Sequence, residues 1–251
     1  MGVRIATLIL LGLVLAGCES SRTEPPAVYP QAPRVGFSTR EASTIDQIIA
    51  AAATKPLRPP DGAGWKTLFD GSRLDDWRIT PFAGRGDVEL FRGMVICWMG
   101  EPFTGINYTN DLPVTNYEIS LEAMRVSGSD FFCGLTFPVR DSHCSLIIGG
   151  WGGTLVGLSS LDGYDASENE TMQIISFETG RWYRIRLRVT AYRIEAWIEQ
   201  KKVVDVVTAG RTISLRAGEI ERSRPLGLAS WTTSAAYRDI HIRSIPGSEA
   251  P

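Results

Sequence analysis

Lysine is scarce in this 251-residue chain, histidine scarcer still, and no lysine-rich tract occurs. The 26 basic residues are nearly all arginine and stand against 28 acidic ones, for a net charge of −2. That balance gives no support to a nucleic-acid partner, which needs a basic face. Cysteine is also rare. The four present include no CxxC and no Cys/His ligand spacing, which argues against a structural zinc site. Beyond the N-terminal residues there is no apolar run of transmembrane length.

What is there begins with an export signal. Arg4 precedes the apolar run Ile5–Leu15, too short to span a bilayer, and the run ends in Leu15-Ala16-Gly17-Cys18. These four residues resemble the bacterial lipobox, which implies a signal peptide over 1–17 and diacylglycerol on the sulfur of Cys18. The expected location is the cell envelope, on the outer membrane or the periplasmic face, with the membrane as a partner through that lipid. Residues 18–61 follow as a lipidated tether, rich in Pro, Ser, Thr and Ala and too poor in apolar surface to offset its chain entropy. One short helix is expected within it over 44–53, capped by Ser43 or Thr44, with Ile45, Ile48 and Ile49 on one face. Lys55-Pro56 and Pro59-Pro60 end it. One domain over 62–246 and a tail over 247–251 complete the chain.

From Trp65 onward the hydrophobic period is two. Tyr117, Ile119, Leu121 and Ala123 alternate with Glu118, Ser120 and Glu122. Tyr183, Ile185, Leu187 and Val189 alternate with Arg184, Arg186 and Arg188. Tyr192, Ile194, Ala196 and Ile198 alternate with Arg193, Glu195 and Trp197. Many short strands separated by Gly, Asn and Asp turns predict an all-β sandwich or barrel. Cys133 and Cys144 flank a predicted hairpin and are either bridged, leaving Cys97 free, or reduced with it in the core.

Four segments in collinear order carry a family resemblance: "GWKTLFDGSRLDDWRI" (64–79), "FRGMVIC" with "INYTNDLPVTNYEISLEAMRV", "GRWYRIRLRVTAYRIEAWIEQKKVVD", and "RPLGLASWTTSAAYRDIHIRSI". Together they resemble the 3-keto-disaccharide hydrolase-like domain family. The resemblance implies a concanavalin-like jelly-roll β-sandwich of two antiparallel sheets, one concave and lined for carbohydrate. It implies action on glycosides or 3-keto-glycosides in that groove. The alternative on the same fold is a non-catalytic carbohydrate-binding or cell-surface interaction module. Many members carry Asn-Ser-Gly before an apolar run and Asp-His-Gly in the closing strands. This chain has "GSDFFCGLTFP" (128–138) and "GLASWTTSAA" instead, so polar groups that handle substrate there are replaced here.

Candidates for the chemistry follow from that expectation. Glycoside hydrolysis uses two facing carboxylates. A 3-keto sugar can instead be cleaved by elimination, in which one base removes the proton beside the ketone and an electrophile stabilises the keto oxygen. Asp141 and His143 in "VRDSHC" and Glu168 in the acidic run are the candidate catalytic groups, with Arg125, Arg140 and Arg184 as candidate polarising cations. The plainer reading of His143 is a turn residue bonded to local backbone. Trp98, Trp151, Tyr164, Trp197 and Trp231 are candidate substrate platforms, because sugar C–H faces stack on aromatic rings. The glycine-rich stretch Leu146–Thr171 reads as the groove wall. Its "DGYDASENE" offers Asp, Asn and backbone oxygens to a Ca2+ ion, against a solvated acidic turn as the simpler reading. No other cofactor is implied. His241 on the last strand points either into the groove or into solvent.

Overall fold

The computed structural model describes residues 38–247, so the signal segment, Cys18 and residues 248–251 lie outside the described residues. One helix, α1 (Thr39–Ala53), precedes the strands. These are β1 (Lys66–Phe69), β2 (Trp77–Ile79), β3 (Val88–Phe91), β4 (Met94–Cys97) and β5 (Phe103–Tyr108). Next come β6 (Tyr117–Gly128), β7 (Cys133–Val139), β8 (Ser142–Gly150), β9 (Leu155–Ser159) and β10 (Gln173–Ile174). The chain ends with β11 (Trp182–Val189), β12 (Arg193–Ile198), β13 (Lys201–Val207), β14 (Leu226–Trp231) and β15 (Thr233–Ser244).

The strands form two antiparallel sheets. Sheet A runs β13-β12-β11-β6-β15-β4-β3, with β1 also on β15, and sheet B runs β10-β9-β8-β7-β14-β5-β2. Alternation decides which side chains meet between them. Tyr117, Ile119, Leu121, Ala123, Ile185 and Leu187 of sheet A pack against Ile106, Leu135, Leu146, Ile148, Leu158 and Leu228 of sheet B in one core. This is the predicted two-sheet sandwich. Cys133 and Cys144 stand opposite Ile148 and Phe137 on the β7–β8 hairpin, so they are not neighbours, and both are free and buried with Cys97. Burial pushes the Cys144 thiol up to about 12.

β1 and β2 do not pair with each other, for β1 pairs with β15 and β2 with β5, in different sheets. Two details differ from the sequence reading. Tyr192 precedes β12 and is only half-buried rather than inward. The helix begins at Thr39, capped by Ser38 in a reciprocal capping box with Glu41.

That helix is docked. Ile45, Ile49 and Ala52 pack with Met94, Ile96, Met124, Val126, Trp182 and Ala236 on the outer face of sheet A, and the Trp182 indole donates to the Ala52 carbonyl at 3.1 Å. The segment after it is held too. The Arg238 guanidinium donates to the carbonyls of Lys55 and Pro56, and that of Arg243 to those of Asp61 and Ala63. Residues 38–61 therefore belong to the folded body instead of a free tether. No helix among the described residues is long and apolar enough to cross a membrane.

Candidate functional site

The outer face of sheet B is closed over by side chains at one end. Phe103, Ala229 and Trp231 alternate with core residues on β5 and β14, and Phe82, Phe131, Ile147, Leu155 and Ile220 join them in a separate apolar cluster. Trp231 meets Phe103 edge-on with centroids 4.6 Å apart, and Phe82 stacks on Phe103 at 4.9 Å. The register sets Ala229 opposite Gly134 and Trp231 opposite Phe103. The two stretches in which the family resemblance leads one to expect polar groups thus meet on this face, and the residues they supply here are aromatic or small.

The Leu146–Thr171 stretch turns at the same end. Arg125, almost fully buried, donates from one terminal nitrogen to the carbonyls of Gly149 and Gly153 at 3.4 and 2.8 Å and to that of Asp130 at 3.3 Å. Gly149 must be glycine, since its φ is +79° and a Cβ there would lie 2.6 Å from the Arg125 guanidinium. Burial pulls the Arg125 pKa down, against the opposing charges of Tyr183 and Asp130. The Gly152 amide also donates to Asp130 at 3.4 Å. This clamp presents Trp151 with 43 % of its surface exposed at a φ of +46°. A left-handed backbone at a bulky residue costs on the order of 1 kcal/mol and persists only where the surroundings impose it. The loop is therefore a fixed support and not loose connection.

The acidic part of the stretch is occupied with its own structure. The Arg211 guanidinium bridges Asp162 and Glu170, and Arg216 pairs with Asp165. Asp162 and Glu170 are both held below the usual carboxylate range, the first mainly by the Thr212 amide and the second mainly by Arg211. Glu168 accepts from the Asp165 amide at 3.3 Å, closing its own turn. The Asn169 side-chain amide donates to the carbonyls of Leu158, Tyr164 and Asp165, so it pins the loop to β9. Arginine takes the lone pairs that a Ca2+ ion would use, and no group of three or more Asp, Glu, His or Cys suited to a metal occurs among the described residues.

The other predicted site residues are dispersed. Asp141 and Arg140 lie at the β7–β8 turn, and Arg140 reaches the Thr208 carbonyl at 3.5 Å. His143 is the second residue of β8, where burial first and the Arg224 charge second lower its pKa. No hydrogen bond or ion pair joins Asp141, His143 and Glu168, so they form no acid–base set in this structure. Tyr164 is 59 % exposed in a turn next to Leu161, beyond the opposite end of β9 from Trp151. Trp98 packs at the α1 cluster, with its indole 3.2 Å from Glu89. Trp197 lies on the outer face of sheet A under Arg186, Arg188 and Lys202, at 4.0, 5.5 and 5.2 Å from its centroid. Of the predicted platform residues, Trp151 and Trp231 share an end of sheet B, after β8 and at the end of β14.

Apart from Arg184 and His241, residues not singled out for a site from sequence form a second cluster, on the outer face of sheet A. Glu118 and Glu122, neither with exposed surface, hold Arg188 and Arg243, and Arg58 and Arg238. Asp239 sits at a φ of +55° in a bulge of β15, accepting from Arg184 and touching His241 Nε2, each at 2.6 Å. Burial works to raise the Asp239 carboxyl, but the His241 bond and the Arg184 charge outweigh it, so the carboxyl stays below its ordinary range.

Two stacked antiparallel sheets make the chain a jelly-roll β-sandwich. It belongs to the 3-keto-alpha-glucoside-1,2-lyase-like domain family, whose model matches residues 64–243. A protein with a galectin-like fold from Bacillus subtilis is similar in structure, with a TM-score of 0.54 and 12 % identity over 76 % of this chain and 100 % of that one. Crh5 transglycosylase in complex with NAG is similar at a TM-score of 0.50 and 14 % identity, over 78 % of this chain and 90 % of its own. At such identities the likeness concerns the fold. No curated protein matches the sequence.

Proposed function

We propose that this chain is an envelope-anchored carbohydrate-binding protein that holds a saccharide against the aromatic end of sheet B. The observation that carries the reading is the clamped, exposed Trp151 just after β8, at the end of sheet B where half-buried Trp231 packs with Phe103 and Phe131. Sugar rings present apolar C–H faces that such rings accommodate. The same face has Gly134 and Ala229 at its centre, and the carboxylates at its edge, Asp130 and Glu219, are taken up by the backbone amides of Phe131, Gly152 and Ala83, which favours binding over cleavage.

Isothermal titration of the full chain with cellobiose, maltose and laminarin oligosaccharides tests this. Binding that Trp151→Ala abolishes supports it, and absence of binding to every saccharide in the panel ends it. The anchor is tested separately. Cys18→Ser shifts the protein from the membrane fraction to the soluble fraction, and an unchanged distribution refutes lipidation.

A second reading rests on Asp239 and His241. There a carboxylate fixes one imidazole nitrogen, and Nδ1 lies 3.3 Å from the Thr67 hydroxyl. A histidine so held can remove the proton beside a 3-keto group while the glycosidic oxygen leaves. Release of the leaving group from a chromogenic 3-keto-glucoside, lost in His241→Asn, would establish that reading in place of binding alone.

A further inference from the structure

At the far end of sheet A from α1 a cleft of about 700 Å³ opens between the β11–β12 hairpin and the end of β15. That volume is in the range of small-ligand sites. It lies on the outer face of sheet A, away from the aromatic end of sheet B. Its polar groups are Arg188, Arg193, Arg243, Glu195, Thr190 and Ser244, with Tyr192 beside them.

The charges are arranged unevenly. Arg188 and Arg243 are both fixed by one fully buried carboxylate, Glu118. Arg243 is further held by the Asp61 and Ala63 carbonyls and lies over the Trp65 ring at 4.4 Å. Around the hairpin, Lys202 pairs with Glu195 and Asp205, and Arg193 with Asp205. Four cations (Arg188, Arg193, Arg243, Lys202) thus face three anions (Glu118, Glu195, Asp205), an excess of one positive charge. Arg193 spends one nitrogen on Asp205, and Arg188 spends its Nε on Glu118 and one terminal nitrogen on Glu195, leaving donors on both free to face the cleft.

We propose that this cleft binds the end residue of an acidic saccharide, a hexuronic acid. One carboxylate neutralises the excess charge and takes the free donors of Arg188 and Arg193, the side chains best suited to a planar anion. Glu195, Thr190 and Ser244 exchange hydrogen bonds with ring hydroxyls, and Tyr192 supplies an apolar surface. Because Glu118 pre-sets Arg188 and Arg243, little side-chain freedom is lost on binding.

Isothermal titration of the full chain with D-glucuronate and D-galacturonate tests the assignment, with D-glucose and inorganic phosphate alongside. Expected are binding of a uronate that weakens with added salt, no binding of glucose or phosphate, and a loss of about tenfold or more in Arg193→Gln. Trp231→Ala leaves this affinity unchanged, which separates the cleft from the sheet B platform. No heat with either uronate at millimolar concentration, phosphate bound as well as a uronate, or unaltered affinity in Arg193→Gln each overturns the proposal.

Discussion

The guanidinium of Arg58 reaches the buried carboxylate of Glu122 with Nε 2.7 Å from Oε1, while Arg238 holds the opposite oxygen at 2.8 Å. The two arginines differ in surroundings, for 46 % of the Arg58 side chain is exposed against 5 % of Arg238. Removing the carboxylate strands a buried cation, whereas removing Arg58 leaves Glu122 still paired. Glu122→Gln is expected to destabilise by about 3–5 kcal/mol and Arg58→Ala by no more than about 1 kcal/mol. Denaturant unfolding of both variants checks this, and equal effects would contradict it.

Trp151 and Trp231 separate binding from stability. Trp151 is exposed on a fixed loop, so Trp151→Ala should change unfolding free energy by less than about 0.5 kcal/mol while weakening saccharide binding about tenfold. Trp231 is packed edge-on against Phe103, so Trp231→Ala should weaken binding and also destabilise by about 2–3 kcal/mol. Titration and thermal melting of the same samples give both readings. A Trp151→Ala variant that melts early without losing affinity would assign the residue to the fold alone.

The sheets were legible because burial imposes a period of two, and Tyr117 through Ala123 and Tyr183 through Val189 turn inward as their alternation requires. The Asp239–His241 cluster left a fainter trace. Inward residues on β15 pass from Tyr237 to Ile240 and Ile242, a phase slip that one extra residue in the strand reconciles. Ser38 and Glu41 carried the helix start in the open, three residues apart as a capping box requires. The acidic run could not be read alone, since Arg211 and Arg216, which occupy it, come from a separate loop after β13. Arg125 looked like a polarising group because nothing local shows that its donors end on carbonyls of the next hairpin.

That clamp gives a local prediction. Burying a guanidinium is itself unfavourable, so Arg125→Met recovers desolvation while losing hydrogen bonds, and global stability should fall by only about 1 kcal/mol. The loop has no such compensation, because Gly149 and Gly153 lose their donor. Amide exchange over 149–154 should quicken about tenfold or more, with the core strands unchanged. Uniform protection in the variant would mean that the backbone holds Trp151 without Arg125.

His143 sets the sign of a pH effect. Its pKa is lowered in the folded state by burial and by the Arg224 charge, so the unfolded chain binds a proton more readily than the native protein. The contribution to stability is therefore complete above the unfolded value of about 6.5 and is lost as pH falls from there toward the lower native value. His143→Gln, which cannot titrate, removes this dependence. Thermal melts from pH 7 to pH 5 should show the parent protein losing more of its melting temperature than the variant. Parallel curves would mean that the imidazole charges without leaving its place on β8.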